Sequence, residues 1–101
     1  MKIIIHPFAK KEFEGKILWF KKYGYQINSS AIFYQEIQAA LDDLGKRTHH
    51  RPLTNTSGYY RVGPTPTHSY SLIYRIVGDE IHLLAIAAPQ RQPGYWKRRK
   101  I

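Results

Sequence analysis

A change in hydrophobic rhythm near Thr48 is what most constrains the fold of this chain. Before it, apolar residues recur every three or four positions, as Ala9, Phe13, Ile17 and Phe20, then as Phe33, Ile37, Leu41 and Leu44. That period places one apolar stripe along each of two helices. After it come short runs rich in β-branched and aromatic residues, Tyr59 to Val62, Ser69 to Val77 and Ile81 to Ala87, separated by Gly and Pro. Such runs read as strands. Helices and strands are segregated along the chain, which predicts an α+β domain with the helices packed on one face of a sheet.

The punctuation residues set the expected boundaries. Lys2 to His6 reads as a short N-terminal strand, and Pro7 suits the first turn of a helix. Lys22-Tyr23-Gly24 marks its stop, with cations in the last turn and Gly at the exit. Asn28-Ser29-Ser30 offers N-cap side chains to a second helix, which Gly45 is expected to end. The two helices would form a helical hairpin. Thr48 to Ser57 is polar and aperiodic and reads as a loop, as does Gly63-Pro64-Thr65-Pro66-Thr67, where two prolines argue against a strand. Gly78-Asp79 between Val77 and Glu80 signals a tight hairpin, so the last two strands should be antiparallel neighbours. The expected architecture is an N-terminal strand, a helical hairpin and a three-stranded antiparallel sheet, in one domain spanning 1–101 with a basic tail at 97–101.

At 101 residues, with 43% hydrophobic and 14% aromatic content, the chain can bury one modest core without covalent staples. It has no cysteine, which excludes disulfides and thiolate metal sites and fits a reducing compartment. The apolar run at Ile3-Ile4-Ile5 is too short for a signal peptide. No stretch approaches the roughly 20 apolar residues of a membrane span. The expectation is a soluble cytoplasmic protein. The formal net charge is +9 and unevenly placed: residues 1–50 carry eight basic and five acidic side chains, residues 51–101 eight basic ones against only Asp79 and Glu80. A field of that sign attracts polyanions or an acidic protein partner.

The densest chemistry follows the last expected strand. Arg91, Tyr95, Trp96 and the run Lys97-Arg98-Arg99-Lys100 bring guanidinium, phenol, indole and ammonium groups to one sheet end. That mixture suits phosphate contact beside base stacking. Arg61, Arg75, Arg91, Tyr95, Trp96, Lys97, Arg98 and Arg99 are the candidate target-binding or nucleic-acid-binding residues. The aromatics have a second possibility, folding back onto the core with their large apolar area. Metal-free RNA cleavage would need cations at the phosphate, a base and an acid. Arg61 and Arg91 can supply the first, His68 or His82 the second and Tyr95 the third. The five histidines form no spaced ligand pattern: His49 and His50 are adjacent in a polar loop, so no metal site is expected. No cofactor is implied.

Read together, these segments resemble the RelE/ParE superfamily of bacterial toxins. Ala9-Lys10-Lys11-Glu12-Phe13 with Trp19-Phe20 is similar to that family's first helix, and Phe33 to Leu41 to its second. Tyr70 to Ile76 is similar to its central strand, and Ile81 to Ala87 with Arg91, Pro93, Tyr95 and Trp96 to its last strand and tail. The resemblance implies the toxin of a type II toxin–antitoxin pair, held inactive by a cognate antitoxin in a hetero-oligomer. Such toxins either cut messenger RNA at the ribosome, as RelE-like endoribonucleases, or inhibit growth by poisoning DNA gyrase, as ParE-like proteins. Ser71 stands where the nucleases commonly carry Arg, Arg61 is alone where they bring two lysines, and Ala88 stands where many have His. The resemblance is therefore to the ParE-like branch, a non-catalytic inhibitor. A RelE-like nuclease using Arg61, Arg91 and Tyr95 is the alternative, and a degenerate toxin that only binds antitoxin is a third.

Overall fold

The computed structural model describes residues 1–24, 28–53 and 56–101. Its elements run β1 (Lys2–Ile5), α1 (Pro7–Tyr23), α2 (Ser29–Lys46), β2 (Pro52–Leu53), β3 (Thr56–Val62), β4 (Ser71–Val77) and β5 (Glu80–Ala87). The strands form one five-stranded mixed sheet in the order β1-β5-β4-β3-β2.

The α+β class and the helix-then-sheet layout agree with the sequence reading, but the three-stranded antiparallel sheet is corrected in two places. First, β1 does not stand apart: it adds in parallel to β5, with Ile3 opposite Ile81 and Ile5 opposite Leu83. The chain between β1 and β5, both helices and β2 to β4, supplies the long connection that a parallel pairing requires. Second, the expected loop 48–57 contributes strand residues in its middle and at its C-terminal end. Pro52 and Leu53 pair antiparallel with β3, and Thr56 and Ser57 already belong to β3. Pro52 is tolerated there because β2 is an edge strand. Two residues are too few to give a periodic signal.

Smaller corrections have local causes. β4 begins at Ser71 rather than Ser69, because Ser69 takes a positive φ of 59° and the Tyr70 N–H donates to Thr65 Oγ1 at 3.0 Å, outside the ladder. Asn28 occupies the α2 N-cap position but in a left-handed conformation with no side-chain cap. Its carbonyl accepts from Ile32 N–H at 2.9 Å. Gly45 does not end α2, which continues to Lys46. Gly24 does cap α1, its N–H donating to Phe20 O, yet its φ is an ordinary −66°. Glycine is needed there for room: a Cβ would stand 2.5 Å from Phe20 O and 2.7 Å from Ser29 Cβ. The hairpin at Gly78-Asp79 is as expected, with Val77 opposite Glu80 and a φ of 62° at Gly78. The connection between α1 and α2 at 25–27 lies outside the described residues.

Both helices cover the same sheet face. Ala9, Phe33, Ile37 and Leu44 pack against Val62, Leu72, Tyr74, Ile81, Leu83 and Ile86. Phe13 and Phe20 complete an aromatic cluster around Phe33, with ring centroids 5.8 and 5.1 Å away. Phe33 is fully buried, and its truncation to Ala is worth about 3–5 kcal/mol. The opposite face carries Ile73, Leu84, Ala85 and Ala87, with Trp96 packed on them.

One irregularity governs how β5 serves both faces. Ile73 pairs with Ala85 and Tyr74 with Leu83, so Leu84 is an extra residue, a β-bulge. Leu84 and Ala85 consequently lie on the same face, while Leu83 and Ile86 both reach the helices. The bulge restores the inward position of Ile86, which strict alternation would place outward.

Candidate functional site

The site is built where β1 leaves β5. The N–H of His6 donates to Leu83 O at 2.9 Å, and the chain then turns into α1. His6 Nδ1 caps that helix by accepting from Phe8 N–H at 3.0 Å. From Leu84 onward β5 has an uncovered edge, and bare ladder groups invite unwanted pairing. Side chains cover it. Glu12 Oε1, from α1, accepts from Ile86 N–H at 3.1 Å. Arg99 Nη1 donates to Leu84 O at 2.9 Å and to Glu12 Oε1 at 2.9 Å, and Nη2 donates to Oε2 at 3.2 Å. The Tyr95 hydroxyl donates to Glu12 Oε2 at 2.7 Å. Charge-assisted, two-pronged pairing of this kind is among the stronger polar contacts a protein makes.

This knot fixes the tail against the sheet end. Gly94, at φ 84°, turns the chain, and Lys97 N–H and Arg99 N–H donate to Gly94 O and Trp96 O at 3.1 and 2.9 Å. Trp96 is only 7% exposed, and its Nε1 has no hydrogen-bond partner among the described residues. Its role is apolar cover for the open sheet face. Arg99 stacks over Phe8 and Tyr95, with its guanidinium carbon 5.4 and 4.9 Å from their ring centres.

With the tail so placed, Arg61 and Arg91 share one open cleft of about 250 Å³, floored by Ile73, Ala87 and Trp96 and flanked by Ser71. Arg61 comes from β3, opposite Ile73, and Arg91 from the turn after β5. Arg91 also borders a smaller cleft of about 110 Å³ with Glu12, Lys16, Tyr70 and Tyr95. Its guanidinium carbon lies 4.0 Å from the Tyr95 ring centre. Neither Arg61 nor Arg91 has an ion-pair partner among the described residues.

The other candidates fall into distinct roles. Arg75 is exposed on β4, its guanidinium 5.5 Å from the Tyr59 ring centre, and does not line the Arg61–Arg91 cleft. Lys97 and Arg98 are exposed, and the Lys97 carbonyl accepts from the Tyr59 hydroxyl at 3.4 Å. Arg99 is held by Glu12, with side chains 13% and 19% exposed.

Proton-transfer chemistry is poorly served here. Burial, and then donation to the Glu12 carboxylate, push the Tyr95 phenol well above its ordinary 10.0. A phenol held that way is a weak acid. His68 stacks on Phe20 at 4.2 Å and lies 3.4 Å from Ser29 Oγ, while His82 sits 3.1 Å from Glu80. Neither lines the cleft of Arg61 and Arg91.

The sequence reading did not single out Glu12 and His6. The signal for His6 is its place just before Pro7, where an N-cap is required. For Glu12 the signal is weaker: an acid amid lysines on α1, with nothing to pair it with a residue so far along the chain.

Among the described residues, no group of three His, Cys, Asp or Glu side chains is placed to hold a metal ion. No described helix is long and apolar enough to cross a membrane. Comparison with protein-family models, with curated proteins and with solved structures gives no match to this chain.

Proposed function

We propose that this chain is the toxin of a type II toxin–antitoxin pair, of the ParE-like kind, arresting growth by binding a target such as DNA gyrase rather than by cleaving RNA. The observation that carries the reading is the open cleft shared by Arg61 and Arg91, whose lining among the described residues holds no His, Asp, Glu or Tyr, while Tyr95 beside Arg91 is tied to Glu12. Two unpaired guanidiniums on an apolar floor bind carboxylate or phosphate well. With no His, Asp, Glu or Tyr in that lining they can stabilise phosphate charge but supply none of the proton transfers of phosphodiester cleavage. The resemblance of the helices, central strand and tail to that superfamily supplies the biological setting, and the helix-then-sheet layout is compatible with it.

The partner expected in this reading is an acidic antitoxin, held in a hetero-oligomer in the cytoplasm. Opposite charge on a +9 domain speeds such association, so added salt should slow it. The test is inducible expression in a bacterial host, with and without the neighbouring gene. DNA damage with intact message is the expected outcome, relieved by the neighbour. Shredded message without DNA damage would replace this reading with the ribosome-dependent nuclease. Absence of growth arrest despite tight antitoxin binding would replace it with the degenerate toxin.

A further inference from the structure

The stripe of α1 that holds Glu12 continues past the tail. Phe8, Glu12, Lys16, Trp19 and Tyr23 follow one another at helical spacing on one side of α1. The tail engages the first two, Arg99 over the still half-exposed Phe8 and Tyr95 on Glu12. In the remaining half Trp19 is 44% and Tyr23 51% exposed. Their ring centres are 5.5 Å apart. Each ring carries its own ammonium: Lys16 Nζ lies 4.9 Å from the Trp19 ring centre and Lys22 Nζ 5.3 Å from that of Tyr23.

Two further observations define the surface. Trp19, Phe20 and Tyr23 form one wall of a concavity of about 220 Å³ whose polar side is Ser29, Thr67 and His68. Lys16 also lines the small cleft that contains Arg91, so the aromatic half-stripe runs into the cationic end of the sheet. The carboxylates nearby are engaged: Glu12 by Arg99, and Glu36 by Thr67, whose hydroxyl donates to it at 2.8 Å.

We propose that this half of α1 is a binding platform for single-stranded nucleic acid, with bases stacking on Trp19 and Tyr23 and phosphates held by Lys16, Lys22 and Arg91. Open rings alternating with cations are what an unpaired strand needs, because every base offers a π-face and every link a negative charge. An acidic peptide would use the ammonium groups but has no need of two uncovered rings. A duplex keeps its bases stacked inside and has nothing to lay on them. The platform shares Arg91 with the cleft of the growth-inhibitor reading, but its test turns on Trp19 and Lys16 and is measured on the purified chain, so the two can fail separately.

The experiment is titration of the full chain with a short labelled oligothymidylate, the same sequence as a duplex, and polyglutamate, followed by anisotropy and tryptophan emission. The single strand should bind more tightly than the duplex and quench emission, because Trp19 is accessible and Trp96 is buried. Trp19→Ala should weaken binding about tenfold or more, whereas Trp19→Phe, which keeps a ring, should lose much less. Three phosphate contacts give a slope of log affinity against log salt near about −2, which Lys16→Ala should reduce by about 0.7. Equal binding of duplex and single strand, indifferent to Trp19→Ala, would overturn the proposal in favour of unspecific charge. Trp19-dependent binding of polyglutamate without binding of the oligonucleotide would overturn it in favour of an acidic protein. Both rings are exposed, and unchanged far-ultraviolet dichroism confirms that the variants fold.

Discussion

The Glu12 carboxylate and the Arg99 guanidinium meet fork to fork, Nη1 to Oε1 at 2.9 Å and Nη2 to Oε2 at 3.2 Å, across 87 positions of chain. The pair also satisfies the free edge of β5 at Leu84 O and Ile86 N–H. Glu12→Ala would strand a largely buried guanidinium, a phenol and a ladder N–H at once. The expected cost is about 3 kcal/mol or more in urea unfolding. Arg99→Ala should overlap with it, so the double variant should fall short of the sum by about 1 kcal/mol or more. Additive losses would mean that the two side chains act independently.

Stability should decline on acidification through His6. Burial, and secondarily the Arg99 charge, lower its pKa below the ordinary 6.5. The neutral ring is the form that accepts from Phe8 N–H. Below about 6.5 the unfolded chain therefore binds more protons at this position than the folded one, and stability falls as pH falls through that region. His6→Asn keeps a capping acceptor without the titration and should flatten the slope. Parallel pH profiles of urea midpoint for the two proteins would remove His6 as the cause.

Trp96 should tolerate loss of its nitrogen but not of its area. Trp96→Ala is expected to cost about 3 kcal/mol or more, and Trp96→Phe far less, because Nε1 has no partner to forfeit among the described residues. Thermal unfolding of the two variants distinguishes apolar cover from a hydrogen-bonding role. Similar losses in both would argue for a polar contact.

Arg61→Ala and Arg91→Ala should each leave unfolding unchanged within about 0.5 kcal/mol, since neither side chain is buried or ion-paired among the described residues, and should relieve growth arrest on expression. Arg98→Ala, exposed and outside the cleft, serves as the control. Full toxicity of both cleft variants would move the functional surface elsewhere.

Two glycines of the helical layer should respond with opposite sign. A methyl group at Gly15 would meet nothing within 4 Å among the described residues, so Gly15→Ala should stabilise by about 0.5–1 kcal/mol through helix propensity. Gly24→Ala would press a methyl against Phe20 O and Ser29 and should destabilise. Equal shifts in melting temperature would contradict the packing described at the α1 exit.

The helices were legible because their stripes are long: Phe33, Ile37 and Leu44 are fully buried, as their spacing implies. The Gly78-Asp79 hairpin was legible because two residues determine it locally. The place of β1 was not, since Ile3-Ile4-Ile5 reads the same whether it pairs with β5 or stands alone, and only the crossover decides. Pro52–Leu53 carries no period at all. At the site, the basic and aromatic residues were visible as a group, and the meeting of Arg61 with Arg91 depends on a turn after β5 that no spacing rule supplies. The division of the tail into a buried indole, a tethered Arg99 and a free Arg91 follows from Glu12, whose partners lie at the far end of the sequence.

The extra residue at Leu84 gives β5 a reading frame. Its first half keeps step with β1 and its second half with the tail, and one residue sets the phase between them. The same residue is also slack: deleting Leu84 would close the bulge and leave Ile86 facing the helices and Ala87 the arginine cleft. A regular ladder with Leu84 kept would instead turn Ile86 outward and Ala87 inward, so the bulge rather than the length of the strand joins the core to the candidate site.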